Sequence, residues 1–332
     1  MKGFDTKFVD ELKNKNDIVD VIGKYVHLEQ KGTNFWGRCP FHHEKTASFC
    51  VNYNDQFFYC FGCHKSGDVI TFIKEIESLD FADAVKFLAE RAKIPMPEMK
   101  YDDEKIKEEK KKKERLYEIL REAAIFYAKN LKSEKADKHI EYIIKRKITG
   151  DVVSKFGLGA SLSFNDLPNY LKEKGYNYEE MMESGVVDSK DGRYYDSLGG
   201  RLIIPLINQF NQVVAFAGRL LEKADFAKYK NTRETPVFTK GQNLFNINNV
   251  KKLKNEKGLD SLIIVEGQMD AISLYTAGFT NVVSSMGTAL TKNQAKMLKR
   301  YVDKVYISYD GDFAGQKASI RGLEILKEEG LD

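Results

Sequence analysis

The run Leu262-Ile-Ile-Val-Glu-Gly-Gln-Met-Asp270, read together with Val305-Tyr-Ile-Ser-Tyr-Asp-Gly-Asp-Phe-Ala-Gly315, decides how this chain folds. Leu262 to Val265 is a short, apolar, β-prone run, long enough for a buried strand and too short for a helix. Glu266 and Gly267 follow at once, and Asp270 opens an amphipathic segment, AISLYTAG. The second run ends in Asp310-Gly311-Asp312, after which Ala314 and Gly315 begin another helix. Between them lie NVVSSM and a helix QAKMLKRY capped by Thr291, so strands and helices alternate as βαβαβα. Ligands of such open sheets gather outside the carboxyl ends of the strands. Glu266, Asp310 and Asp312 are expected to converge there with Asp270 close by, and hard oxygen ligands of this kind suit Mg²⁺. A lone acid at a strand end is ordinarily just solvated. Two acidic strand ends in one array, each followed by glycine, argue for a shared site.

The 332 residues predict two to three domains, and 42% hydrophobic residues are enough for real cores. A net charge of +4 is too small for a global basic field, so nucleic-acid binding has to come from local patches. No apolar run approaches a membrane span, and MKGFDTKFVDELK lacks the apolar core of a signal peptide. A cytoplasmic protein is expected. Disulfides are disfavoured in that compartment, so Cys39, Cys50, Cys60 and Cys63 need a metal or a packing explanation.

Near the N-terminus, Asp17 is read as the cap of a helix IVDVIGKY, with Ile18, Val21, Ile22 and Tyr25 on one face. NFWGRC, SFCVN and QFFYC then read as short strands, the last two joined by a turn at Asn54-Asp55. This β unit carries Cys39-Pro-Phe-His42 and Cys60-Phe-Gly-Cys63. Two-residue gaps of this kind let paired ligands reach one tetrahedral Zn²⁺. His43 breaks that gap, His64 lies outside the second pair, and Cys50 on an alternating strand is expected to pack as a small hydrophobe. The expected ligands are Cys39, His42, Cys60 and Cys63. Phe35, Trp36, Phe57, Phe58 and Tyr59, with Lys31, Arg38, Lys45 and Lys65 nearby, offer stacking faces and phosphate contacts. Alternation sends half of those aromatics into the core, and the sequence does not say which half.

Asp68 and Asp80 are expected to cap two helices, the second with a stripe of Phe81, Ala84, Val85 and Leu88. The run YDDEKIKEEKKKKER reads as a solvated linker or exposed helix, and a new core starts at Leu116. GGRLIIPLINQFNQVVAFAGRLL predicts a hairpin flanked by Arg201 and Arg219. Lys228, Lys230, Arg233 and Lys240 follow on a short stretch; singly each is a solvated charge, and together they suit a polyanion's phosphates.

Several motifs resemble one known family. EGQMD with DGDFAG resembles the Toprim motif pair, and CPFHHEKTASF with YCFGCHKSGD is similar to the zinc-binding domain of bacterial DnaG-type primases. The basic block resembles their GGR and KYxNSPET…KG motifs, and YIIKRKITGDVVSKFGL the start of their RNA-polymerase domain. The resemblance implies an α+β and α/β multidomain chain, a zinc ribbon followed by a primase core with a Toprim, Rossmann-like parallel sheet. Expected boundaries are 1–97 for the ribbon, 98–115 for a charged linker, 116–258 for the N-terminal part of the polymerase core and 259–332 for an incomplete Toprim part. It implies a nucleotidyltransferase making short RNA primers from ribonucleoside triphosphates on single-stranded DNA, with structural Zn²⁺ and catalytic Mg²⁺ or Mn²⁺. Glu266, Asp270, Asp310 and Asp312 take the catalytic role, Glu266, Asp310 and Asp312 as ligands of the metal. Arg146, Arg201, Arg219, Lys228, Lys230, Lys240, Lys31 and Lys45 take nucleotide or nucleic acid. In that family the ribbon sheet contacts the template. The chain is expected to be a monomer and a truncated product, weakly active at most, lacking the C-terminal domain that meets a replicative helicase.

The chain departs from the family pattern at three places: Gln268 for an aromatic, Lys147 for glycine, and Thr232-Arg233 for Ser-Pro. The first is expected to leave the metal site intact, the second to alter a turn, and the third to loosen a loop. The rival readings are a phage-type primase–helicase, a strand-breaking Toprim enzyme, and a recombination mediator that clamps DNA without catalysis. No GxxxxGK[ST] motif is present to support the first.

Overall fold

The structure, a computed structural model, describes residues 4–42, 44, 46–77, 79, 81–97, 103–222 and 227–332, with backbone only at 103–107. His43, Lys45 and the Asp80 cap lie outside the described residues. Two compact units divide at Asp103/Glu104.

In the first unit, helices α1 (Thr6–Asn14) and α2 (Ile18–Ile22) precede strands β1 (Glu29–Lys31), β2 (Asn34–Gly37), β3 (Phe49–Asn52), β4 (Phe57–Cys60) and β5 (Ser66–Gly67). Helices α3 (Val69–Ile76) and α4 (Phe81–Ala92) close it. The strands form an antiparallel meander in chain order. Asp17 caps α2 as expected, accepting from the amides of Val19 and Asp20. The helix stops at Ile22, however, and Tyr25 lies at the surface, its hydroxyl donating to Glu77 at 2.9 Å. Asp68 caps α3 through the Thr71 amide. Phe49 and Phe58 pack with Phe72 and Phe41 at ring separations of 5.3–6.2 Å. Burying a phenylalanine contributes about 1.5–3 kcal/mol, so this cluster is a large part of a small core.

The second unit begins with α5 (Asp103–Leu131), α6 (Asp137–Lys145) and α7 (Gly150–Phe156), then β6 (Gly159–Ala160), α8 (Asp166–Glu173) and α9 (Tyr178–Glu183). The charged run expected as a linker is helical from Asp103 and continuous with the apolar stripe of Ile119, Leu120, Ala123 and Tyr127. Arg115 ties it down by an ion pair to Glu180 at 3.1 Å and by lying over the Tyr176 ring. A small hairpin, β7 (Val187–Lys190) and β8 (Arg193–Asp196), leads to the expected long one, β9 (Arg201–Ile207) and β10 (Val213–Leu220). With β11 (Tyr229–Asn231) and β6 they form a four-stranded sheet in the order β11-β10-β9-β6. The loop after β11 is tied at its first residue: the Thr232 amide donates to Phe216 O at 2.8 Å, and its hydroxyl accepts from the Phe216 amide.

After α10 (Ile247–Lys257) come β12 (Ser261–Val265), α11 (Gln268–Thr276), β13 (Val282–Ser284), α12 (Lys292–Lys299), β14 (Lys304–Ile307) and α13 (Phe313–Glu328). The sheet is parallel, ordered β13-β12-β14. Both of its faces are covered, which is why LIIV reads as a continuous apolar run instead of alternating. Val265, Met269 and Ile272 share a core with Leu202, Ile204 and Phe245, while Leu262 and Ile264 pack with Leu298 and Leu326 on the other side. The first of these cores joins the parallel sheet to the antiparallel one, and so brings the acidic strand ends up to the basic hairpin. Among the described residues no helix is long and apolar enough to cross a membrane.

Candidate active site and metal centre

In the ribbon, the ligand atoms of Cys39, His42, Cys60 and Cys63 lie within 4.8 Å of one another. Cys39 Sγ is 3.8 Å from Cys63 Sγ, and Cys60 Sγ is 3.8 Å from His42 Nδ1. A zinc tetrahedron with Zn–S bonds of about 2.3 Å has edges of about that length, so the donors fit the ion. Their outer support was not foreseen: Glu44 approaches His42 Nε2 at 3.5 Å and accepts from the Cys39 amide and the Ser48 hydroxyl. A carboxylate behind a histidine fixes which ring nitrogen faces the metal. The Glu of the CPFHxE run was the available signal. Gly62 is required here, because a Cβ would stand 2.6 Å from His42 Nε2. Cys50 is on β3 and outside the group, while His64 is bonded to the Tyr59 hydroxyl at 2.9 Å.

Strand pairing settles which ribbon aromatics are core. Trp36, Cys50 and Tyr59 are directly paired across β2, β3 and β4, and so share the outer face, whereas Phe35, Val51 and Phe58 share the inner one. Trp36 stacks on Phe61 at 5.8 Å, Tyr59 meets Phe61 edge-on at 4.9 Å, and Phe57 and Phe61 are exposed. Lys31, at the end of β1, is exposed too.

In the second unit the acids gather where the alternating pattern placed them. Glu266 follows β12, and its Oε1 accepts from the Asp310 amide beyond β14 at 3.3 Å. Asp270 is the third residue of α11 and accepts from the Gly267 amide at 3.0 Å. Asp312 caps α13 through the Gly315 amide at 2.7 Å. Gly315 cannot carry a side chain: a Cβ would be 2.1 Å from Asp310 O and 3.0 Å from Glu266 Oε1. Burial raises the pKa of Glu266, and Asp310, Asp312 and Asp270 raise it further. Burial and Asp310 raise Asp270 as well, against Arg146 and Arg219, which lower it. A cluster of like charges with hard oxygen donors suits a divalent cation. Among the described residues, only the Cys/His group already crowds its ligand atoms together.

Facing Asp270 is a basic wall. The Arg219 guanidinium is buried between the rings of Tyr142 and Tyr229, 4.6 and 4.9 Å from their centroids, and donates to the Tyr229 hydroxyl. Arg146 lies over the other side of the same neighbourhood, 5.5 Å from the Tyr142 centroid. The two tyrosines were not singled out from sequence; Tyr142, one helical turn before Arg146, was legible as its i−4 neighbour. Lys228 is exposed at the start of β11, Lys230 donates to Ser197 O at 2.9 Å, and burial lowers the Lys240 amine. Arg201 is 7% exposed and donates to the carbonyls of Gly218 and Lys228, which braces the sheet edge. Gln268 is buried and donates to Asn231 at 3.1 Å, linking α11 to β11 beside the acids.

Comparisons with known proteins agree with this layout. Family models match residues 4–104 (CHC2 zinc finger), 126–251 (DNA primase catalytic core, N-terminal domain) and 263–332 (Toprim-like). A DNA primase of Clostridium acetobutylicum is 43% identical over 98% of this chain and 53% of its own length. The chain spans about half the length of the curated relatives it matches. The crystal structure of the zinc-binding and RNA-polymerase domains of Aquifex aeolicus primase is similar at 36% identity and a TM-score of 0.60, over 98% of this chain and 77% of that one. A DnaG primase catalytic domain bound to single-stranded DNA matches at 29% identity and a TM-score of 0.59, over 64% of this chain and 67% of its own. With its CHC2 ribbon, its primase core and its Toprim sheet, the chain belongs to the family of DnaG-type bacterial DNA primases.

Proposed function

We propose that this chain synthesises short RNA primers on single-stranded DNA. The observation that carries the reading is the gathering of Glu266, Asp310 and Asp312 at the carboxyl ends of β12 and β14 with Asp270, which also faces Arg146 and Arg219. Arg146 and Arg219 hold phosphate groups of the incoming ribonucleotide or the template backbone, aided by Lys228 and Lys240. The tyrosine rings keep the Arg219 guanidinium oriented, so little side-chain freedom is lost on binding. Asp270 interacts with both the basic wall and the other acids, and so links the two. Mg²⁺ or Mn²⁺, held by Glu266, Asp310 and Asp312, supplies neutralisation of the charge on the reacting phosphates. Zn²⁺ is structural. Trp36, Phe57, Tyr59 and Phe61 offer a stacking face to unpaired template bases, with Lys31 at its edge. A similar catalytic domain has been solved with single-stranded DNA, which supports the template assignment. The working boundaries are 1–97 for the ribbon, 116–258 and 259–332 for the two parts of the core. A cytoplasmic monomer acting beside a replicative helicase completes the reading.

The test is extension of labelled ribonucleotides on single-stranded DNA by the zinc-loaded chain, run beside relaxation of supercoiled DNA and plain DNA binding. Template-dependent short RNA at a low level, lost in Asp310→Asn, is the expected result. DNA binding without synthesis would favour a clamp, and relaxation a strand-breaking enzyme.

A further inference from the structure

Among the described residues, the buried polar atoms without a resolved hydrogen-bond partner include two pairs beside the acids: Tyr142 Oη and Arg219 Nε near Asp270, and Ser285 Oγ and Tyr309 Oη near Glu266. The second pair is set by strand register. Val265 pairs with Ser284, and Ile264 with Ile307. The pairing runs on past the strand ends, since the Ser285 amide donates to Val265 O and the Ser308 amide to Ile264 O. Ser285, Glu266 and Tyr309 therefore fall in one row across three parallel strands, and residues of one row point to one face of a sheet. Ser285 is fully buried, and the Tyr309 phenol lies beside its hydroxyl and close enough to Glu266 to feel its charge.

The two hydroxyls have at most each other, and replacing both partners of such a pair by apolar groups of similar shape is close to neutral or stabilising, so packing alone would be served as well by phenylalanine and alanine at these places. A carboxylate with two hydroxyls beside it in the same row has a use for them. We propose that Ser285 and Tyr309 are positioning residues for Glu266, whose hydroxyls orient its carboxylate toward a divalent cation and do not stabilise the fold. This rests on the reading of Glu266 as a metal ligand. Outer partners of this kind typically change metal affinity 10- to 100-fold.

The experiment titrates Mn²⁺ into the zinc-loaded 332-residue chain, with thermal melting measured on the same samples. Tyr309→Phe, Ser285→Ala and their double variant are expected to weaken Mn²⁺ binding by about tenfold or more, with the melting temperature of the double variant equal to or above wild type. Binding within twofold of wild type would overturn the proposal, and so would a loss of affinity that tracks a loss of melting temperature. Glu266→Gln separates the two claims. If it abolishes Mn²⁺ uptake while the hydroxyl variants bind normally, the positioning role alone falls. If wild type takes up no more Mn²⁺ than Glu266→Gln, the metal reading falls and the positioning role with it.

Discussion

Lys147 sits at φ +56°, a conformation that glycine adopts at less cost. Its amide donates to Ile144 O and that of Ile148 to Ile143 O, the two bonds of a Schellman motif that ends α6 with Arg146 as its C-cap. The turn expected to differ is thus kept, at some strain. Lys147→Gly should stabilise the second unit by up to about 1 kcal/mol, read as a shift of the urea midpoint, because relief of the left-handed strain exceeds the added unfolded-state freedom. A destabilised variant would mean that the lysine side chain contributes elsewhere. Asp196 makes a second test. It is fully buried, and burial pushes its pKa up to about 6 although Ser161, Tyr127 and the Leu198 amide all donate to it. The folded state keeps this proton up to about pH 6, whereas the unfolded chain releases it near pH 4. The associated stability is full below about pH 4 and lost as pH rises through about 6. Asp196→Asn should remove that slope, a change on the order of 1–3 kcal/mol in the difference between wild type and variant from pH 4.5 to pH 7. If that difference does not vary with pH, Asp196 ionises as an ordinary carboxylate.

The ribbon is the element whose stability most needs its ion. Its sheet is thin, and Cys39 and Cys60 are themselves part of the hydrophobic cluster. Structural zinc in small domains contributes roughly 10–16 kcal/mol at neutral pH. Chelation should therefore unfold the first unit, seen as lost amide dispersion, while the second unit keeps its melting transition. Cys60→Ser should lower zinc content, and Cys50→Ser should leave one zinc per chain. Equal loss in both would show that Cys50 is a ligand. On the outer face, Tyr59→Ala should weaken binding of single-stranded DNA by about 1–3 kcal/mol, measured by fluorescence anisotropy, with zinc content unchanged. The helix α5 shows a different principle: a sequence almost free of apolar residues in its first half is still helical, as the extension of a helix anchored by Ile119, Leu120 and Ala123, with Arg115 and Lys112 reaching acids on α9.

For the molecule as a whole, binding and catalysis should separate. Arg219→Ala and Lys228→Ala are expected to weaken nucleotide or DNA binding, most strongly at low salt, since phosphate contacts act through counterion release. Arg219→Ala also leaves two tyrosine rings without their cation, so its melting temperature should fall, whereas that of Lys228→Ala should not. Affinity that ignores salt in both variants would rule out the phosphate role. Glu266→Gln should abolish primer synthesis and spare single-stranded DNA binding, because the proposed template surfaces are the ribbon and the basic wall. Loss of both together would place the acids in the DNA-binding surface.

Residue spacing alone determined the zinc ligands, the acidic strand ends and the long hairpin, because each depends on local geometry: a two-residue knuckle, a strand followed by glycine, a turn between alternating runs. Thr291 and Asp312 likewise cap their helices as local rules require. What only the tertiary structure decided is which side of an element a residue faces and what packs there. Trp36 and Phe35 are neighbours in sequence, yet register sends one outward and the other into the core. Arg201 and Arg219 lie on paired strands with the same charge, yet one braces carbonyls and the other is caged between tyrosines. Tyr142, Tyr229, Ser285 and Tyr309 carry no motif of their own; they become part of the site only because a shared core sets the parallel sheet against the antiparallel one. Long-range packing of this sort leaves no periodic trace in a chain, and so it had to be seen.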